Sequence, residues 1–123
     1  MSVWRILVVD DDELVRRVVR RIAAEFGDAV AEAEGAGALR ALERDVFDLV
    51  ISDIRMTPPD GLELAAWVQD HRPDTCVLLI SGFARPEDES AIAGLGATLL
   101  RKPFDAEALR TAIGAALSRC TPR

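Results

Sequence analysis

The sequence predicts an α/β domain built on a doubly wound, five-stranded parallel sheet, and three observations predict it. Short apolar runs of strand length alternate with stretches of helical apolar period along the whole chain. The connections between them are short, which favours right-handed crossovers through helices on both faces of one sheet. Four of the runs also end in polar residues. Ile6-Leu7-Val8-Val9 runs into Asp10-Asp11-Asp12 and Leu49-Val50-Ile51-Ser52 into Asp53. Val77-Leu78-Leu79-Ile80 runs into Ser81, and Leu99-Leu100 into Arg101-Lys102-Pro103. Open parallel sheets bind ligands in the crevice beyond the C-terminal ends of their strands, so these residues share one expected site.

The elements follow in order. After Val9, apolar residues recur at Leu14, Val15, Val18, Val19, Ile22 and Phe26, the spacing of one buried helix face, with Gly27 as the stop. Ala29 to Ala33 alternates weakly and fits an edge strand. Gly35 to Arg44 is a helix with only Leu39 and Leu42 as large anchors, and Phe47 to Ser52 is the third strand. Gly61 to His71 is a helix carrying Leu62, Leu64, Ala65, Trp67 and Val68, and Pro73-Asp74 turns the chain into the fourth strand. Pro86 suits the first turn of the next helix, where Glu87, Asp88 and Glu89 lie near its positive end. Thr98 to Arg101 is the fifth strand. Asp105 then precedes a helix with Leu109, Ala112, Ile113, Ala116 and Leu117 on one face. No repeat, low-complexity tract or linker interrupts the chain, so residues 1–123 read as one domain.

Composition narrows the function. A chain of 123 residues is long enough to bury roughly two-thirds of its unfolded surface. A net charge of −6 disfavours non-specific contact with nucleic acid or an anionic membrane. No apolar stretch approaches the roughly 20 residues that span a bilayer, and Met1-Ser2-Val3-Trp4-Arg5 lacks the apolar core of a signal peptide. Cys76 and Cys120 have no metal-ligand spacing and are expected as reduced thiols in a cytoplasmic setting, a disulfide being the lesser alternative.

The acids carry the chemistry. Asp10 and Asp11 are adjacent at a strand end, where a loop can turn both carboxylates into the crevice. Two carboxylates about 4 Å apart repel by roughly 4 kcal/mol at a surface-like dielectric. A hard divalent cation such as Mg²⁺ relieves that repulsion and takes carboxylate, carbonyl and water oxygens. A solvated acidic helix start is the competing reading of the same run. Asp53 ends a run so apolar that a lone carboxylate there needs a partner. A carboxylate can act as a nucleophile and form an aspartyl phosphate. Lys102 can then supply positive charge to the phosphoryl group, and Ser81 a hydrogen-bond donor. Alone, Lys102 could be a surface lysine and Ser81-Gly82 an ordinary turn; together the strand ends make a phosphorylation site.

Taken in order, five motifs resemble the response-regulator receiver domain of two-component signalling over nearly the whole chain. They are Ile6 to Glu13, Asp48-Leu-Val-Ile-Ser-Asp53-Ile-Arg-Met56, Asp60-Gly61-Leu-Glu-Leu, Ile80-Ser81-Gly82 and Lys102-Pro103-Phe104. The resemblance implies strand order 2-1-3-4-5 and a flavodoxin-like, CheY-like (βα)5 three-layer sandwich. It implies that Asp53 accepts a phosphoryl group from a sensor histidine kinase or a histidine phosphotransfer protein. Asp11, Asp53 and the backbone carbonyl of Arg55 would bind Mg²⁺ (or Mn²⁺) directly, with Asp10 acting largely through a bound water. Lys102 would contact the phosphoryl group, Ser81 would move toward it as the switch hydroxyl, and Arg55 and Phe83 would tune its lifetime. Lys102-Pro103 would be a cis peptide, and Gly61 a structural position.

By the same resemblance, phosphorylation biases a two-state equilibrium and shifts the last two β/α units to suit an output partner or domain. Ile92, Leu95 and Leu99 are candidates on that surface, with burial in the core as the competing reading. Two departures stand out: Thr57 intervenes between Met56 and Pro58, and Leu99 stands where the family usually carries Tyr or Phe. The second is expected to weaken aromatic switching while leaving phosphorylation intact.

Other classes fit less well. Arg16, Arg17, Arg20 and Arg21 read as a solvated helix face rather than a nucleic-acid patch, and His71 as a surface residue. A phosphohydrolase of the haloacid-dehalogenase type needs a second acid two residues past its nucleophile, where Arg55 stands. A phosphorylation-independent pseudo-receiver usually lacks an acid, the lysine or the acceptor, and all are present. The expected activity is therefore no enzyme on outside substrates, only catalysis of its own phosphorylation and dephosphorylation. Both a stand-alone regulator and a receiver within a longer protein match this reading.

Overall fold

The computed structural model describes residues 3–120; residues 1–2 and 121–123 of the expected 1–123 domain lie outside the described residues. The chain runs β1 (Trp4–Val9), α1 (Glu13–Ala23), β2 (Gly27–Glu32), α2 (Gly35–Arg44), β3 (Leu49–Asp53), α3 (Gly61–His71), β4 (Cys76–Ser81), α4 (Pro86–Gly94), β5 (Thr98–Arg101) and α5 (Ala106–Ser118). All strand pairs are parallel and the order is β2-β1-β3-β4-β5, as the resemblance implied.

Strand alternation divides the core in two. Leu7, Val9, Val50, Val77 and Leu79 pack with Leu42, Leu64, Val68 and Ile92 from α2, α3 and α4. Ile6, Val8, Leu49, Ile51, Leu78 and Ile80 face the other way, onto Val19 and Ile22 of α1 and Leu109, Ile113 and Leu117 of α5. Burial on both faces explains why β1, β3 and β4 read as continuous apolar runs rather than alternating ones.

Aspartate caps set three helix starts by satisfying otherwise orphaned amides. Asp12 accepts from Leu14 N at 2.9 Å and Val15 N at 3.1 Å. Asp60 and Glu63 form a reciprocal capping box at α3, and Asp105 accepts from Ala108 N at 2.8 Å. The third acid of the Asp10-Asp11-Asp12 run is thereby committed to helix α1.

Several expectations are corrected. Gly27 does not stop α1, which ends at Ala23; it opens β2 opposite Trp4, where a Cβ would lie 2.2 Å from the Trp4 carbonyl oxygen. The third strand starts at Leu49 rather than Phe47 and includes Asp53. The apolar face of α1 is only partly buried: Val19 and Ile22 reach the core, while Leu14 and Val18 stay 70% and 44% exposed. They line a groove with Val15, Val19, Lys102, Pro103 and Phe104, because α1 meets the sheet and α5 along a narrower stripe than its apolar residues cover. Ile92 is buried in the core, which removes it from the candidate output surface; Leu95 and Leu99 pack partly buried against the same cluster.

The cysteines are also corrected. Cys76 and Cys120 form a disulfide with their Cα atoms 6.1 Å apart. The end of α5 returns beneath the start of β4, a proximity hidden by the 44-residue separation along the chain. His71 is exposed, as expected, and stacks on Trp67 with ring centroids 4.4 Å apart.

Candidate functional site

The strand register assembles the site. Val9 of β1 pairs with Ser52 of β3, and the next residue along the chain after each is an acid, Asp10 just beyond β1 and Asp53 at the end of β3. β4 lies on the far side of β3 and ends in Ser81, and the chain leaving β5 carries Lys102. The Lys102 amide donates to the Ser81 carbonyl at 2.8 Å, which fixes the lysine beside the end of β4. The Lys102-Pro103 bond is cis, as expected; the Pro58-Pro59 bond is cis as well, which the sequence reading did not include.

Asp10, Asp11 and Asp53 each offer a carboxylate oxygen within 4.8 Å of the others, with Asp10 and Asp53 buried and Asp11 exposed. Oδ1 of Asp10 accepts from the Asp12 amide at 2.9 Å. Its Oδ2 is buried without a hydrogen-bond partner among the described residues. Burial is the main cause that pushes the Asp10 carboxyl up from 3.8 to about 6, with the charges of Asp53 and Asp11 adding to it. The Asp12 amide and Lys102 oppose the rise. A buried carboxylate oxygen with no partner, beside two further carboxylates, suits a hard divalent cation. The donor set is all oxygen, and the structure therefore fits the ion that the family resemblance implied.

Asp53 is held from three sides. Lys102 Nζ donates to its Oδ2 at 3.4 Å, and the Arg55 amide donates to its Oδ1 at 3.3 Å. Its backbone carbonyl lies against Gly61, where a Cβ would sit 2.4 Å from that oxygen and 2.9 Å from Ile54 Cα. Gly61 is thus required by close approach of α3 to the loop after β3, and its amide donates to the Ile54 carbonyl at 3.1 Å.

Ser81 is almost wholly buried, and its hydroxyl oxygen accepts from the Phe83 amide at 3.0 Å. Here that oxygen serves its own loop. Phe83 itself is 71% exposed. Leu99 pairs with Leu79 along the sheet and packs toward the α2, α3 and α4 side of the core. The structure therefore brings Asp10, Asp11, Asp53 and Lys102 together, sets Ser81 on the adjacent strand end, and places Leu99 in a packing role.

Sequence reading missed the ion pairs around this crevice. The Arg55 guanidinium, rooted in the loop after Asp53, pairs with Asp88 in the first turn of α4. The same Asp88 oxygen accepts from the Arg85 amide at 3.0 Å and lies 3.7 Å from Arg85 Nε. The Arg85 amide and the two guanidinium groups hold the Asp88 carboxyl below the usual carboxylate range. On the next residue, Glu89 pairs with Arg101, the residue before Lys102. By sequence Asp88 is a helix-dipole acid; its placement three residues after Arg85, where a capping side chain folds back, is the one local signal of its further partners. Of the basic residues on α1, Arg16 donates to the Asp10 carbonyl at 2.8 Å and Arg20 to the Ala29 carbonyl at 3.2 Å.

Comparison with known proteins gives consistent matches. A family model described as the response regulator receiver domain matches residues 6–114. The chain is 37% identical over 119 residues to the transcriptional regulatory protein GlrR of Escherichia coli K12, a match covering 95% of this chain and 27% of that protein. It is 38% identical over 122 residues to the response regulator MprA of Mycolicibacterium vanbaalenii, covering 96% of this chain and 52% of MprA. The chain thus spans between about a quarter and half of these relatives. Among solved structures, a CheY-like receiver domain protein from Methanospirillum hungatei aligns with TM-score 0.88 at 27% identity, over 95% of both chains. CheY4 of Vibrio cholerae aligns with TM-score 0.85 at 28% identity, over 94% of this chain and all (100%) of that one.

Proposed function

This chain belongs to the response regulator receiver domain family, and from that premise we propose that Asp53 is the phosphoacceptor of a phosphorylation switch. The observation that supports this best is the convergence on Asp53 of the Lys102 ammonium and the Asp10 carboxylate, one oxygen of which is buried with no hydrogen-bond partner among the described residues. The donor would be a phosphohistidine on a sensor histidine kinase or a histidine phosphotransfer protein. In the transfer, the phosphorus–nitrogen bond of the donor breaks and a bond forms between phosphorus and an Asp53 carboxylate oxygen. The histidine, protonated on its other ring nitrogen, takes the electron pair of the broken bond and leaves as neutral imidazole.

Each residue has a role in that step. Asp53 supplies the nucleophilic oxygen, and its 3.4 Å contact with Lys102 keeps a cation beside the oxygens that gain charge. Asp11, Asp53 and the Arg55 carbonyl would hold Mg²⁺ or Mn²⁺ directly, and Asp10 through water. When bound, the ion neutralises charge on the phosphoryl oxygens and orients them. Ser81 can exchange its contact with the Phe83 amide for a phosphoryl oxygen, since a hydroxyl both donates and accepts. Gly61 keeps α3 against the Asp53 backbone and so holds the nucleophile in register.

The domain acts as a switch rather than as an enzyme on outside substrates, catalysing only its own phosphorylation and dephosphorylation. Its output would be a partner or a linked domain, and a kinase donor implies a cytoplasmic setting. The test is intact-protein mass after incubation with acetyl phosphate, with and without Mg²⁺, comparing the wild type with Asp53→Asn. The expected result is one Mg²⁺-dependent phosphoryl adduct, absent from the variant. Tight Mg²⁺ binding with no adduct in the wild type would instead indicate an interaction module that works without phosphorylation.

A further inference from the structure

Helix α4 is held unlike the other helices. Its buried residues are Ile92 and the carboxylate-bearing Asp88, so little apolar surface fixes its first turn. Two adjacent acids of that turn are instead ion-paired: Asp88 with Arg55, and Glu89 with Arg101. Both partners sit beside site residues, Arg55 two positions after Asp53 and Arg101 one before Lys102. The start of α4 is therefore tied electrostatically to the two segments that carry the phosphoacceptor and its lysine.

We propose that the Arg55–Asp88 pair is a latch that phosphorylation of Asp53 opens, with Asp88 as the residue that positions the Arg55 guanidinium in the unphosphorylated state. This rests on Asp53 being the phosphoacceptor. Arg55 is already bound to that residue through its amide, 3.3 Å from Asp53 Oδ1. Its side chain starts beside the oxygens that would gain the phosphoryl charge. A guanidinium matches a phosphoryl group bidentately, with more negative charge than a carboxylate offers. The exchange does not leave Asp88 bare, because Arg85 still supplies its amide at 3.0 Å and its guanidinium Nε at 3.7 Å to the same oxygen. A buried carboxylate stripped of every partner would resist opening; this one keeps the hydrogen bond from the Arg85 amide and the nearby Arg85 charge. The arginine side chain is about half exposed, so it has room to turn. Opening the latch cuts the direct ionic tie between the β3–α3 loop and the first turn of α4. That helix is then held by Ile92, by Glu89–Arg101 and, at its far end, by the Gln69 side-chain amide, which donates to the Gly94 carbonyl at 3.2 Å.

The experiment is peptide-level hydrogen exchange across residues 86–94 in the full chain, with and without acetyl phosphate and Mg²⁺. Adduct occupancy is read by intact mass in the same samples. In the wild type, phosphorylation should speed exchange of the Asp88 and Glu89 amides, which now donate to the Arg85 carbonyl. The expected rise is about tenfold, the equilibrium worth of one charged hydrogen bond. Asp88→Asn and, independently, Arg55→Gln should show that faster exchange without phosphorylation and gain little more with it. The Arg55 variant keeps its backbone carbonyl and reads the pair from the other side if the Asp88 variant folds poorly. An adduct without faster exchange at α4 would overturn the latch and leave the phosphoacceptor reading intact. The same holds if either variant keeps a full phosphorylation-dependent rise. No adduct in the wild type would overturn both.

Discussion

Lys102 Nζ lies 3.4 Å from Asp53 Oδ2 although the two residues are 49 positions apart in the chain. The contact exists because β3, β4 and β5 are consecutive in the sheet and the Lys102 amide is pinned to the Ser81 carbonyl. It places a cation where the proposed phosphoryl transfer would build negative charge. Lys102→Met is expected to slow formation of the phosphoryl adduct from acetyl phosphate by at least about tenfold, below the 10²–10³ typical of a fully preorganised donor because Lys102 is partly exposed. Adduct formation at the wild-type rate, followed by intact mass over time, would remove Lys102 from the mechanism.

Asp10 predicts a pH dependence of stability in the metal-free protein. Its folded-state pKa of about 6 lies above the ordinary 3.8, so protonation favours the folded state. The stability it contributes is fully present below about pH 4 and is lost as pH rises through about 6. Asp10→Asn keeps an oxygen for the Asp12 amide and has no charge to bury. In a chelator at pH 7.5, this variant should be more stable than the wild type by roughly 1–3 kcal/mol in urea unfolding. The gap should close below pH 4. A variant less stable than the wild type at pH 7.5 would contradict the burial argument.

Gly61→Ala probes the other support of Asp53. The added methyl would meet backbone on both sides, Asp53 O at 2.4 Å and Ile54 Cα at 2.9 Å, and neither can rotate away. We expect a loss of about 2 kcal/mol or more in unfolding free energy, in the range of overpacked sites, together with slower phosphorylation of Asp53. Gly94→Ala is the control, because a Cβ there meets nothing within 4 Å among the described residues. Equal stability of the two variants would show that α3 stands off from the loop.

The Cys76–Cys120 pair closes a loop across a 44-residue separation. Loop-closure entropy of that size is worth roughly 4 kcal/mol, with measured values commonly 2–4. Purified protein should therefore lose stability by that order on treatment with a dithiol reductant, and Cys120→Ser should match reduced wild type. Thiol counting on protein quenched in acid directly from cells measures how much of the pair is oxidised in the proposed cytoplasmic setting, where disulfides are uncommon. If reduction leaves the melting curve unchanged, the bond contributes nothing to the fold.

Ser81→Ala tests the proposed switch role of the Ser81 hydroxyl. The hydroxyl oxygen now satisfies the Phe83 amide at 3.0 Å, so its removal should cost about 1 kcal/mol. Adduct formation should persist, while any phosphorylation-dependent exchange change in the loop 82–85 should shrink and the rise over 86–94 expected from the Arg55–Asp88 pair should remain. An undiminished response in the variant would assign the coupling elsewhere, the Arg55–Asp88 pair being the nearest alternative.

What the sequence determined by itself was whatever depends on neighbours a few residues apart. The bounds of α2, α3 and β5 were readable because apolar period and cap residues such as Asp60 act locally. The acids at the ends of β1 and β3, and Lys102 after β5, were legible because a parallel sheet brings its strand ends to one edge. Tertiary structure decided what depends on facing surfaces. The stripe that α1 buries is set by its contact with the sheet and α5, which leaves Leu14 and Val18 exposed. Ile92 is in the core because α4 lays it against the sheet. The Cys76–Cys120 bond and the Arg55–Asp88 pair join residues 44 and 33 positions apart, and no local pattern encodes such partners. Side chains carry their chemistry in the sequence, but charge pairing and burial are properties of distance, and distance is fixed only when the layers pack.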